Sequence, residues 1–93
     1  MNNAPIGIFD SGLGGLSVLR EIRALLPQES LIYVADSKYA PYGEKPEQFV
    51  EARTLQVCEW LVAQGCKALV IACNTATMHA VQTLREKLAL PIV

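Results

Sequence analysis

Three short polar stretches in this 93-residue chain each follow directly on an apolar run. They are Asp10-Ser11-Gly12-Leu13-Gly14-Gly15, Asp36-Ser37-Lys38-Tyr39-Ala40-Pro41-Tyr42-Gly43 and Cys73-Asn74-Thr75-Ala76-Thr77. Cys73 is the residue best suited to chemistry. A thiol at the end of a strand and the start of a helix has its thiolate favoured by free backbone N–H groups and by the helix dipole, and a thiolate serves as base or nucleophile. The competing reading makes Cys73 a small buried apolar residue, with Asn74 or Thr75 there only to cap the helix. Position alone leaves both open.

The glycine-rich turn from Gly12 to Gly15 also has two readings. It can let an anion approach the N-terminus of the following helix, or it can be a degenerate dinucleotide fingerprint. The second fits less well, because Ser17 stands where that fingerprint wants its last glycine and Asp10 would set a negative charge near the pyrophosphate. Asp36, at the end of the second strand, does mimic a ribose-binding acid. A carboxylate beside helix N-termini suits a zwitterion better: the amides take its carboxylate and Asp10 its ammonium.

These loops must be positioned by the elements between them. Near-continuous apolar runs at residues 5–9, 31–35, 68–72 and 90–93 read as strands buried on both faces, and amphipathic stretches between them read as crossover helices. Leu16, Leu19, Ile22 and Leu26 form the stripe of a first helix that Pro27 ends. A second helix opens at Pro46 and stops at Gly65, with Val50, Thr54, Val57, Cys58 and Leu61 inward. A third runs from about Asn74 to Leu88, burying Met78, Val81, Leu84 and Leu88 and leaving His79 on the opposite, solvated side. The fold class is α/β: a parallel four-stranded sheet, in the common order 2-1-3-4, with three crossover helices. In that order the Asp10 and Cys73 loops lie side by side at the switch point, along the edge formed by the strand C-ends. Right-handed crossovers put the first helix alone on one face, so Leu69, Ile71 and Ile92 are expected to show apolar side chains there and to promote self-association.

Composition narrows the partners. Apolar residues make up 52% and charged residues 18% of the chain, which excludes a disordered segment and fits one compact domain over residues 1–93. A net charge of -1, scattered without blocks, gives no footprint for nucleic acid or anionic lipid. No apolar run approaches the roughly 18 residues of a membrane helix, and Met1-Asn2-Asn3-Ala4-Pro5 lacks the basic start of a signal peptide, so the cytoplasm is the expected location. Three cysteines without CxxC spacing and one isolated histidine make a disulfide framework or a zinc site improbable. Cys58 and Cys66 read as ordinary core.

Phe9 to Gly15, Pro41-Tyr42-Gly43 and Ala72-Cys73-Asn74-Thr75-Ala76 together closely resemble the glutamate racemases, and the resemblance extends along the whole chain. It implies a flavodoxin-like domain, the N-terminal half of a longer enzyme with two similar α/β domains and the substrate between them. It further implies glutamate as substrate, held by Asp10, Ser11, Tyr42, Gly43, Asn74 and Thr75, and Cys73 as one of two catalytic cysteines on opposite faces of the α-carbon. One thiolate would remove the α-proton and the other thiol return it from the far side, with no cofactor and no metal. The second cysteine belongs in that family to a Cys-Thr-His motif that this sequence lacks, so the chain alone is expected to be inactive. D-glutamate made this way would supply peptidoglycan. The alternatives are another amino-acid racemase of the same superfamily, such as an aspartate or hydantoin racemase, and a non-catalytic half-domain that binds small anions or self-associates.

Overall fold

The computed structural model describes residues 3–12, 15–39 and 42–93, with the side chains of Asn74, Met78 and His79 outside the described set. Apolar runs bounded by Pro5, Ser30 and Lys67 form the strands β1 (Ile6–Asp10), β2 (Leu31–Ala35) and β3 (Ala68–Ile71). The amphipathic stretches form α1 (Gly15–Leu25), α2 (Glu47–Ala63) and α3 (Asn74–Lys87). Short 3₁₀ turns at Ser37–Tyr39 and Tyr42–Glu44 lie in the loop between β2 and α2.

Local chemistry sets the helix ends. Pro27 stops α1, and Arg23 satisfies carbonyls beyond it by donating from Nη1 to Pro27 O at 3.2 Å and Glu29 O at 2.9 Å. Pro46 is the N-cap of α2, where its fixed φ of −59° leads into the helix. Cys73 is the N-cap of α3 and has extended backbone angles. Past α3, Arg85 Nη2 donates to Ile92 O at 3.0 Å and ties the final residues back to the helix.

The three strands are parallel, in the order β2-β1-β3, with Ile8 opposite both Tyr33 and Val70. Where a fourth strand was expected, residues 91–93 lie alongside β3 through a single parallel bridge, Leu69 to Ile92. Three 3.0 Å bonds hold them, from Leu69 N to Pro91 O, Ile71 N to Val93 O and Val93 N to Leu69 O.

Strand alternation sorts the side chains into two faces. Gly7, Phe9, Leu69, Ile71 and Ile92 lie on the face covered by α2 and α3, where Val50, Val57, Cys58, Leu61 and Leu84 complete the buried core. A Cβ at Gly7 would lie 2.9 Å from Leu69 Cδ2 and 3.0 Å from Cys66 Sγ, so any larger residue there would force these buried side chains to shift. Leu69, Ile71 and Ile92 are therefore buried, at 0%, 8% and 7% exposure, which corrects the expectation that they line an open face. They point the other way: a run that is apolar throughout carries no alternation from which to read its phase. The exposed large apolar side chains among the described residues are Leu16 and Leu25 of α1, Leu26 just past it, Trp60 and Val62 of α2, and Val93. Two cavities of about 470 and 530 Å³ adjoin α1 and β2.

Candidate active site

Parallel strands bring their C-terminal loops to one edge. Two backbone bonds fix the loops there, from Asp36 N to Asp10 O at 2.8 Å and from Ala72 N to Phe9 O at 2.7 Å. Asp10 ends β1, and Cys73 stands two residues beyond Ile71, the partner of Phe9. The two loops thus occupy neighbouring strand ends. Leu13, Gly14, Ala40 and Pro41, which belong to the motifs read from the sequence, lie outside the described residues.

Cys73 is nearly buried, and its Sγ accepts the Ala76 N–H at 3.5 Å. A thiolate here meets a donor that the first turn of α3 would otherwise leave unpaired. Thr77 Oγ1 donates to Cys73 O at 2.9 Å and pins the same turn from its other side. The remaining thiols have no such setting. Burial pushes Cys58 up to about 12, with the nearby Glu59 charge adding to it, and burial raises Cys66 as well. All three cysteines are free.

Asp10 is 1% exposed and its Oδ2 accepts the Tyr33 hydroxyl at 2.7 Å. Burial, then the hydrogen bond and the charge of Asp10, push the Tyr33 phenol up to about 12. Ser11 is buried beside Asp10 in sequence, and Gly12 follows with φ +106°, a region that side chains rarely adopt. A Cβ at Gly12 would also stand 2.8 Å from Ser37 Cα, so the first loop can pass the second this closely only with glycine. The 470 Å³ cavity here is lined by Asp10, Gly12, Leu16, Ser17, Tyr33, Ala35 and Ser37.

Tyr42 and Gly43 approach from the second loop. Tyr42 is 1% exposed, its ring 6.0 Å from that of Phe9, and its hydroxyl donates to Asp36 Oδ2 at 2.5 Å. Arg53 of α2 grips the same carboxylate with Nε at 3.0 Å and Nη2 at 2.7 Å, and its guanidinium lies 4.6 Å from the Tyr39 ring centre. Burial alone would raise the Asp36 carboxyl. The bonds from Arg53 and Tyr42, with the Arg53 charge, outweigh it and hold the group below the usual carboxylate range. Burial and the Asp36 contact raise the Tyr42 phenol in turn. Both Asp36 oxygens are thus engaged within the protein, which argues against Asp36 as a ribose-binding acid. Gly43 is exposed, and a Cβ there would come 3.9 Å from Thr75 Oγ1, so the second and third loops meet at these two residues.

The structure therefore joins Gly43 to Thr75 and the Asp10 loop to Ser37. Cys73, Tyr42 and Thr75 are not among the residues lining the cavity beside Asp10. Asp10 follows the α1 face of β1, while Cys73 packs in the α2–α3 core cluster. Sequence reasoning missed Tyr33 and Arg53. The only signal for Tyr33 is a phenol inside an otherwise apolar strand, and for Arg53 a charge between stripe positions Val50, Thr54 and Val57.

The Asp/Glu/Hydantoin racemase family model matches residues 6–93. The glutamate racemase of Cupriavidus pinatubonensis is 81% identical over 93 residues, all of this chain and 34% of that protein. A solved glutamate racemase from Thermus thermophilus, in complex with β-chloro-D-alanine, superposes with a TM-score of 0.93 at 47% identity, over 97% of this chain and 35% of that one. The Francisella tularensis glutamate racemase in complex with D-glutamate gives 0.94 at 37% identity, over 100% of this chain and 36% of that one. The chain spans about a third of the length of these relatives. With its α/β fold, its three loops at one sheet edge and a family match over nearly its whole length, the chain belongs to the Asp/Glu/Hydantoin racemase family.

Proposed function

We propose that this chain carries one half of the site of a glutamate racemase, in which Cys73 exchanges a proton with the α-carbon of glutamate. The observation that carries this reading is Cys73 itself, a thiol at the N-cap of α3 with a backbone N–H directed at its sulfur. Asp10 would take the substrate ammonium, and Ser11, Tyr42, Gly43, Asn74 and Thr75 would hold the rest of the zwitterion. The α-proton of an amino acid is weakly acidic, so donors around the substrate carboxylate must stabilise charge as it develops there. Inversion needs a second acid on the opposite face of the α-carbon. Cys58 and Cys66 do not serve, since both are packed among core side chains away from the strand C-ends.

The second thiol would come from a further domain of a longer protein, with residues 1–93 as the N-terminal α/β domain. In that protein the segment around Ile92 would extend into a fourth strand beside β3, giving the order 2-1-3-4. The bonds already made by Leu69 and Ile71 support this extension. No described helix is long and apolar enough to cross a membrane, and an enzyme supplying D-glutamate to peptidoglycan would work in the bacterial cytoplasm. An aspartate or hydantoin racemase is the second reading, since the family model covers those substrates too.

The full-length protein tests both. It is expected to interconvert L- and D-glutamate without added cofactor, and Cys73→Ser to lower kcat about 100-fold or more, the scale of a lost acid–base group. Chiral chromatography of reactions with glutamate, aspartate and a hydantoin gives the readout. Turnover of aspartate in preference to glutamate would favour the second reading, and full activity of Cys73→Ser would remove both.

A further inference from the structure

We propose that Tyr33 is a positioning residue of the racemase site: its hydroxyl fixes the orientation of the Asp10 carboxylate, so that Asp10 presents itself to the substrate ammonium in one geometry. The inference rests on the reading of Asp10 given above. Tyr33 lies in the middle of β2 and Asp10 at the end of β1, and strand register places Tyr33 opposite Ile8 and Ala35 opposite Asp10. Both side chains point to the α1 face, and the phenol reaches along the sheet by two residues to meet Oδ2 at 2.7 Å. The two residues line the same cavity, with Gly12, Ser17 and Ser37 around them.

Three features make this more than a satisfied polar contact. Asp10 is 1% exposed, so water cannot reorient its carboxylate as it would at the surface. A hydrogen bond to one oxygen fixes the rotation about the Cβ–Cγ bond, which sets where the other oxygen points. The phenol, pushed up to about 12, keeps its proton throughout the neutral range and acts only as a donor to the carboxylate. Tyr33 itself stays within β2, a rigid element, whereas Asp10 stands where the chain leaves the sheet. Support therefore runs from the strand to the loop.

The test uses the full-length protein carrying Tyr33→Phe, Asp10→Asn or both. Tyr33→Phe keeps the ring and removes the donor, and it is expected to lower kcat/KM for glutamate roughly 10-fold, the scale of a hydrogen bond to a charged group, with the fold intact by circular dichroism. Because Tyr33 acts through Asp10, the double variant should be no worse than Asp10→Asn alone, within about twofold. Losses that multiply in the double variant, or a folded Tyr33→Phe with unaltered kcat/KM, would overturn the proposal and leave the racemase reading standing. An unaltered protein that racemises no glutamate would instead remove the reading and the proposal together. Should Tyr33→Phe fail to fold, the ring Cζ resonance of ¹³C-labelled Tyr33 supplies the second measurement. It is expected to shift in Asp10→Asn, and an unmoved resonance would overturn the contact.

Discussion

The three thiols of the chain differ in what surrounds their sulfur rather than in how deeply they lie, since Cys58, Cys66 and Cys73 are all buried. Cys58 has apolar neighbours and is pushed up to about 12, so almost none of it is thiolate near neutrality. Cys73 has the Ala76 N–H. Alkylation of the folded chain at pH 8 should therefore mark Cys73 first, with peptide mass spectrometry recording the order, and prior labelling of Cys58 or Cys66 would contradict the placement. Cys73 could be singled out from the sequence because its signal is local: a strand end, a polar run and a helix start lie within a few residues. Tyr33 and Arg53 could not, because their partners Asp10 and Asp36 are 23 and 17 residues away and only the folded sheet brings them together.

Among the elements, α2 was the most legible. Its five inward positions, Val50, Thr54, Val57, Cys58 and Leu61, are all buried as their spacing required. The stripe of α1 was legible as a period but not as a degree of cover, for Leu16 and Leu26 remain 57% and 44% exposed. Periodicity reports which face is apolar and says nothing of what lies against it. The joint between α2 and the second loop was not legible either, although it holds Tyr42 in place: Arg53 and Tyr42 meet on the Asp36 carboxylate. Removing the guanidinium in Arg53→Met should cost about 1–3 kcal/mol, the scale of hydrogen bonds to a charged group in a partly buried site. The pH dependence has a definite sign. The folded-state pKa of Asp36 is depressed, so its contribution is present above the unfolded value of about 3.9 and is lost as pH falls below it. Urea unfolding at pH 7 and pH 3 should show the penalty of Arg53→Met shrinking on acidification. An equal penalty at both would mean that Arg53 acts by packing alone.

At the scale of the whole molecule, residues 1–93 place one thiol, two hydrogen-bonded carboxylates, Asp10 and Asp36, and three loops along a single edge of a sheet. A single thiol can take a proton from one face of the α-carbon and return it only to that face. Purified residues 1–93, incubated with L-glutamate in D₂O, should yield no D-glutamate by chiral chromatography, and any deuterium incorporated at the α-carbon should appear with retention. Inverted product would require a second thiol, as from another copy meeting it loop to loop. Exposed apolar surface was expected on the sheet and lies instead on the helices and chain ends, at Leu16, Leu25, Leu26, Trp60, Val62 and Val93, and the sheet is covered because of the phase of β3. That phase is set by the packing of Leu69, Ile71 and Ile92 against α2 and α3.

The strand order also bears on how the chain is made. β1 is the centre of the sheet yet precedes both of its partner strands in the chain, and its Ile8 and Phe9 end at 0% exposure. One of its partners ends at Ala35 and the other at Ile71, so its second flank stays open until some sixty more residues have emerged, roughly 3–12 s at ribosomal rates. Until then the flank of Ile6-Gly7-Ile8-Phe9 that β3 will cover is an open apolar strand edge in the nascent chain. An unpaired apolar edge of this kind is the type of surface on which nascent chains aggregate or meet chaperones.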